Sequence, residues 1–291
     1  MKQMTTYSRI IAGTMTWGNW GKQLSTEQMI ALMNGCLELK ITTFDHADIY
    51  GDYTTEGQFG KAFTKSSISR ENIQFVSKCG IQFNAKTRSN KVKHYNYDKD
   101  YIIWSVERSL QSLQTEYLDL LLLHRPSPLM QPNEIAEAIM QLKKDGKIKQ
   151  FGVSNFTPSQ IALIETAVPV EANQIEYSLT TNKVMNNGIL DDCLSNKRLA
   201  MSWSPLGAYF REETEQTKRV GRVLENLCQK YDANEDQLLL SWVLKHPSKI
   251  YPVVGTTTPE RLALAMKAVE IDLELEDWFL LLEASNGNEV A

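Results

Sequence analysis

Residues that can move a proton stand at the ends of short apolar runs. Leu37 to Phe44 delivers the chain to Asp45, and Tyr50 follows five residues later, just before Gly51. Ile73 to Ser77 ends on Lys78, and Leu118 to Leu123 ends on His124. An unperturbed phenol titrates near ~10, so at neutral pH it is protonated but a poor donor. An ammonium beside it stabilises phenolate and makes it a better donor as charge develops; a carboxylate beside the ammonium keeps that amine charged and oriented. An imidazole can then hydrogen-bond a carbonyl oxygen and hold it for attack. Singly, each residue has a plainer reading: a turn cap, a packed aromatic, a strand-end ion pair, a buried histidine. Jointly, at successive strand ends, they are the means to protonate a carbonyl.

These side chains meet only if the runs carrying them lie side by side. Arg9 to Thr14 fits a first strand. Ser25 precedes Gln28 at capping-box spacing, and Met29, Leu32, Met33, Cys36 and Leu37 form one helical stripe. Strand and helix then alternate: a helix over Thr55 to Phe63, a strand over Ile73 to Ser77, a helix over Lys99 to Leu113, and the nearly unbroken apolar strand Leu118 to Leu123, as expected where both faces are covered. A helix follows over Asn133 to Lys144, then a strand over Ile148 to Val153. Thr157, Pro158 and Gln160 start the next helix. Strands over Val170 to Ile175, Leu199 to Trp203 and Ile250 to Val254 alternate with helices over Ile189 to Asn196, Glu213 to Tyr231, Asn234 to His246 and Pro259 to Val269. A helix over Glu276 to Ala284 closes the chain. Eight strands each followed by helix predict a (β/α)8 TIM barrel, one domain spanning 1–291. A doubly wound sheet would normally open with Gly-x-Gly-x-x-Gly, and that pattern is absent here. Gly80 to Asp98, polar and irregular, is expected to be a loop over the barrel mouth.

The 291 residues suffice for such a core, and a net charge of −4 gives no basis for a nucleic-acid surface. Cys36, Cys79, Cys193 and Cys228 form no Cys-x-x-Cys pair and suit free thiols in a reducing cytosol. Met1 to Tyr7 is polar with no apolar leader core, and no run nears the ~18 apolar residues of a membrane span. The expectation is a cytoplasmic protein with no membrane contact and no obligate protein partner.

A parallel barrel carries its active site at the C-terminal ends of its strands. There the sequence offers Gly13-Thr14, Asp45 with Tyr50, Lys78, His124, Ser154-Asn155, Gln174, Trp203-Ser204-Pro205 and Gly255-Thr256, nearly all polar, aromatic or glycine. Two other constellations fall away. His46-Ala47-Asp48 lacks the His-x-His and further histidines of metal-dependent barrel hydrolases, so no metal is expected. Ser154 lacks the second glycine of a nucleophile elbow.

On these residues, together with Asp45 to Gly51, Leu120 to His124, Gly152-Val153-Ser154-Asn155, Asn173-Gln174, Trp203-Ser204-Pro205-Leu206 and Pro259-Glu260-Arg261, the chain resembles the aldo-keto reductases from about Ile10 to Val269. The wording His46 to Gly51 and His124-Arg125-Pro126 is similar to a bacterial branch of oxidoreductases whose substrates are unassigned. The resemblance implies NADPH as cofactor, a small carbonyl compound as substrate and Asp45, Tyr50, Lys78 and His124 as the catalytic tetrad. It implies that Ser154, Asn155 and Gln174 hydrogen-bond the nicotinamide carboxamide and that Trp203 stacks on its ring, where the family commonly has tyrosine. Ser204, Pro205, Leu206 and Gly207 would line the pyrophosphate passage, and Gly13, Thr14 and Met15 would close the cofactor channel. Gly255, Thr256 and Arg261 fall where the family holds the 2′-phosphate, beside a helix N-terminus that favours anions. Gly255 replaces a frequent lysine, Leu264 and Ala265 replace Glu and Asn, and Arg261 has the plainer option of pairing with Glu260 or Glu270. Substrate would enter beside Trp17, Trp20 and the Gly80 to Asp98 loop. The rival function is a nucleotide-sensing regulatory subunit that binds NADPH with little turnover.

Overall fold

The computed structural model describes residues 7 to 290; the polar stretch Met1 to Thr6 and Ala291 lie outside the described residues. Its strands are β1 (Ile11–Gly13), β2 (Thr43–Asp45), β3 (Gln74–Cys79), β4 (Ile81–Gln82), β5 (His94–Tyr95), β6 (Leu118–Leu123), β7 (Ile148–Ser154), β8 (Ala172–Glu176), β9 (Leu199–Trp203) and β10 (Tyr251–Val254). Eight of them close into a barrel in the order β1-β10-β9-β8-β7-β6-β3-β2. Every pairing in it is parallel, as the expected (β/α)8 architecture requires.

The period-2 alternation of a strand sorts the side chains. Ile11, Val76, Leu120, Leu122, Ala172, Met201 and Val253 form one apolar cluster and plug the barrel. Their alternates, among them Phe44, Phe75, Leu121, Leu123, Phe151 and Val153, pack in a second cluster with residues of the surrounding helices. Two residues beyond the plug, the same parity brings Lys78, His124, Gln174 and Trp203 to the next layer, at the C-terminal rim. The apolar plug is therefore the floor on which the polar residues stand.

Helices start where the sequence supplies caps. Ser25 and Gln28 close a capping box, as do Thr157 and Gln160, at the helices Thr26–Glu38 and Pro158–Glu165. The helix Lys99–Leu113 and strand Leu118–Leu123 have the expected bounds. Others shift because the backbone ladder sets the ends, not the last apolar residue. Lys78 lies within β3, paired with Leu122 of β6, and Gln174 lies within β8, which continues to Glu176 opposite Trp203. The helix expected to reach His246 stops at Leu244.

Gly80 to Asp98 is not wholly irregular. Ile81 and Gln82 pair with Tyr95 and His94 in an antiparallel ribbon. Gly80 makes the turn into it at φ +113°, and an added Cβ would sit 2.0 Å from the Tyr97 ring. Trp17, expected at the entrance, is fully buried against Phe44 and Phe59. Its neighbour Trp20 does reach the surface and packs on Phe83 at 5.8 Å.

The helices Thr55–Lys65 and Lys99–Leu113 approach so closely at Gly60 that a Cβ there would fall 2.1 Å from the Ser112 carbonyl oxygen. Gly60→Ala should therefore lower unfolding stability by about 1–3 kcal/mol, the usual range for overpacking. Urea unfolding measures it, and an unchanged midpoint would contradict the close approach.

Candidate active site

Asp45 ends β2, and the next residues turn sharply to bring Tyr50 back over the rim. Gly51 and Asp52 both adopt φ +59°, and a Cβ on Gly51 would lie 2.4 Å from Thr55 Oγ1, so the residue after Tyr50 must be glycine. Lys78 projects from β3 beneath this turn. Its Nζ donates to Asp45 Oδ2 at 2.7 Å, to the His46 carbonyl at 2.7 Å and to Tyr50 Oη at 3.2 Å. An ammonium has three protons, and all three are engaged. The phenol oxygen accepts from the lysine, so its own proton is free to be given to something else.

Lys78 and Asp45 are 1% and 2% exposed, so this is a buried ion pair. Burial alone would lower the lysine, yet the Asp45 charge and the hydrogen bonds to Asp45 and Tyr50 outweigh it and hold Lys78 above its ordinary value. Burial raises Tyr50, partly offset by Lys78, and the phenol stays protonated at neutral pH. His124 is driven well below its ordinary value by burial and by the cations Lys78 and Arg125, so the imidazole is neutral. Its ring meets Tyr50 edge-on at a centroid distance of 6.1 Å. Its Nδ1 is buried without a partner, which leaves Nε2 as the ring atom able to reach a ligand.

Gln174 donates from Nε2 to Asp45 Oδ1 at 2.9 Å, so both carboxylate oxygens are held and only the glutamine Oε1 is left for a ligand. Ser154 Oγ accepts from Asn155 Nδ2 at 3.0 Å, and Asn155 Oδ1 accepts from Trp203 Nε1 at 3.1 Å. Asn155 adopts φ +59° to make these bonds. Ser154, Asn155, Gln174 and Trp203 thus form one continuous polar wall beside the Lys78 cluster. Beyond it, Ser204 and Gly207 have φ +49° and +57°, Pro205 is buried, and Leu206 packs between two apolar clusters. A side chain on Gly207 would strike Thr180 Oγ1 at 1.9 Å.

Other predicted residues are placed differently. Thr14 is fully buried: its hydroxyl donates to the Asp45 carbonyl at 3.0 Å and therefore accepts from His46 Nδ1 at 2.9 Å. Its N–H also donates to the Asp45 carbonyl, so Thr14 braces the β1–β2 edge while Met15 is the exposed residue of that trio. His46, wedged edge-on against Phe59 at 4.4 Å, is pushed down to about 3, first by burial and then by Lys78. Gly255 and Arg261 are exposed, and Arg261 makes no ion pair among the described residues. The helix Pro259–Lys267 starts without a side-chain cap, so its first N–H groups are open to an anion.

Arg125 is the residue that sequence reasoning passed over, although it stood in the quoted His124-Arg125-Pro126. Its guanidinium donates to the His124 carbonyl at 2.9 Å and to Ser154 Oγ at 3.2 Å, and lies 5.3 Å from the centre of the Trp203 ring. It puts a fixed positive charge beside the imidazole.

A parallel barrel with acid–base groups gathered at its C-terminal rim is the architecture of a barrel enzyme. Comparison with known proteins narrows this. Residues 9–285 match the Aldo/keto reductase family, and the chain belongs to that family. It is 40% identical over 290 residues to the uncharacterized oxidoreductase YcsN of Bacillus subtilis (strain 168), covering 98% of this chain and 96% of that one. It is 37% identical over 290 residues to a 6-dehydroglucose reductase of Agrobacterium fabrum (strain C58 / ATCC 33970), with 98% and 96% covered. A solved thermostable aldo-keto reductase, Tm1743 with the inhibitor epalrestat, superposes with a TM-score of 0.79 at 27% identity, covering 95% of each chain. No helix among the described residues is long and apolar enough to cross a membrane.

Removing Lys78 leaves Asp45 buried without its counter-ion, so Lys78→Met should cost about 3–5 kcal/mol of unfolding stability. Because Lys78 is held above its ordinary value, its contribution is complete below about pH 10.4 and is lost as pH rises through the folded value. Urea unfolding at pH 8 to 9, where the orphaned Asp45 is most fully charged, should show the deficit, and it should shrink as pH falls and Asp45 takes up a proton; a loss below about 1 kcal/mol at pH 8 to 9 would mean the pair is not buried as described.

Proposed function

We propose that this protein is an NADPH-dependent carbonyl reductase in which Tyr50 protonates the oxygen of an aldehyde or ketone. The observation that carries the reading is the full engagement of the Lys78 protons, which leaves the phenol hydrogen unassigned and an ammonium in place to stabilise phenolate. Asp45 keeps that ammonium charged, and Gln174 keeps Asp45 in position. Neutral His124 holds the carbonyl oxygen through Nε2. The four cysteines are free, which suits a reducing cytoplasm.

NADPH fits the residues present. Trp203 offers a partly exposed flat ring for the nicotinamide; Ser154, Asn155 and the Gln174 Oε1 offer partners for its carboxamide. Ser204 to Gly207 would flank the pyrophosphate, and Gly13 and Met15 would close the cofactor channel from the first strand. Gly255, Thr256, Arg261 and the uncapped helix start would hold the 2′-phosphate. The bound cofactor supplies the hydride, which no side chain can. Arg125 adds a positive charge beside the carbonyl, which favours polar or anionic substrates. A relative at 37% identity is named a 6-dehydroglucose reductase, so 6-dehydroglucose belongs among the first compounds tried.

The test is a panel of aldehydes, ketones and 6-dehydroglucose, assayed by NADPH oxidation. Tyr50→Phe should reduce turnover by about 10²–10⁴-fold with NADPH affinity unchanged. If the variant works as well as the parent, the donor is misassigned; if the parent binds NADPH and turns over nothing, a sensor role replaces the enzyme. Arg261→Ala should weaken NADPH about tenfold or more, as for a lost charge-assisted hydrogen bond, and NADH much less. Equal losses by fluorescence titration would remove the 2′-phosphate contact.

A further inference from the structure

A cavity of about 480 Å³ opens between the helices Thr55–Lys65 and Lys99–Leu113, beside Gln82 of β4 and the loop residues Thr87 and Arg88, and none of Tyr50, Lys78 and His124 lines it. Its acidic wall carries Asp48 and Glu56, each 6% exposed. Asp48 Oδ2 accepts from Ser105 Oγ at 3.1 Å, while Oδ1 is buried with no partner at all. Glu56 Oε1 accepts from Ser77 Oγ at 2.5 Å. A buried carboxylate oxygen without a donor is costly, and proteins normally meet that cost with a hydrogen bond or a cation.

The remaining walls are aromatic. Tyr53, Tyr101 and Trp104 line the cavity, and the Arg88 guanidinium lies over the Tyr53 ring at 3.7 Å and the Trp104 ring at 4.9 Å. Arg88 also donates to Tyr101 Oη at 3.2 Å and Gln82 Oε1 at 3.3 Å. Yet among the described residues it forms no ion pair with Asp48 or Glu56. The chain's own cation therefore occupies the aromatic outer part and stops short of the carboxylates. Cation on aromatic face with carboxylate behind it is how organic cations are held.

We propose that this cavity is a binding site for a small organic cation with a guanidinium or primary ammonium head, and that Arg88 is its built-in competitor. The head would enter between Tyr53 and Trp104 and place its N–H donors on Asp48 Oδ1. Burial and the neighbouring Glu56 push the Asp48 carboxyl up to about 7, against the pull of Arg88, and an incoming cation would hold it ionised.

Methylguanidinium is the probe and N-methylurea, the same shape without charge, is its control, both titrated calorimetrically into the purified full chain. Arg88→Ala should bind methylguanidinium saturably, at least tenfold more tightly than the native protein does and at least tenfold more tightly than it binds N-methylurea. Adding Trp104→Leu, on a side chain 44% exposed, should weaken binding several-fold. Adding Asp48→Asn should weaken it at least tenfold. No saturable binding to Arg88→Ala, equal binding of the urea, or affinity unmoved by Trp104→Leu would overturn the site; equal affinity in native and Arg88→Ala proteins would overturn the competitor role.

Discussion

An ammonium enclosed by protein must find an acceptor for each of its protons, and Lys78 finds all three within the six-residue stretch Asp45 to Tyr50. Asp45 Oδ2 belongs to β2, the His46 carbonyl to the strand exit, and Tyr50 Oη to the turn that follows. The geometry of one cation thus fixes a carboxylate, a backbone segment and a phenol relative to one another. Asp45 keeps the lysine charged where burial alone would discharge it, and removing either partner would strand the other as an uncompensated buried charge. The arrangement also leaves the phenol hydrogen as the one proton in the cluster without an internal partner, and that links structure to chemistry.

The barrel supplies the rigidity beneath. Val76, Leu122, Ala172 and Met201 fill its interior, and strand alternation puts Lys78, His124, Gln174 and Trp203 two residues higher. The polar ring does not depend on loop conformation for its footing. The loops add the rest: the left-handed turn at Gly51, the ribbon after Gly80, the guanidinium of Arg125.

Much of this was legible from residue order. Apolar runs marked the strands, and the carboxylate, amine and imidazole at their ends marked the rim, because a parallel barrel leaves few other places for them. Tyr50 was legible through Gly51, whose positive φ the fold requires. What the sequence hid were side-chain directions. Thr14 stands at a strand end like the others, yet its hydroxyl turns inward to the Asp45 carbonyl and His46. Trp17 and Trp20 are three residues apart, and only packing against Phe44 and Phe59 sends one to the core. Gln174 looked free for a ligand, but half of its amide already braces Asp45. The pairing of Asp48 and Glu56 behind Arg88 joins residues of three separate segments, and no spacing announces it.

The protonation state of Lys78 is the most direct test of this account. Direct-detected ¹⁵N NMR of lysine-labelled protein, with Lys78 assigned by its absence in a Lys78→Met spectrum, would follow its Nζ through a pH titration. The account predicts that this nitrogen remains an ammonium up to at least about pH 10.4, the ordinary lysine value, with slowly exchanging protons. A neutral amine appearing near pH 7 to 8, as burial without an effective partner would produce, would contradict it.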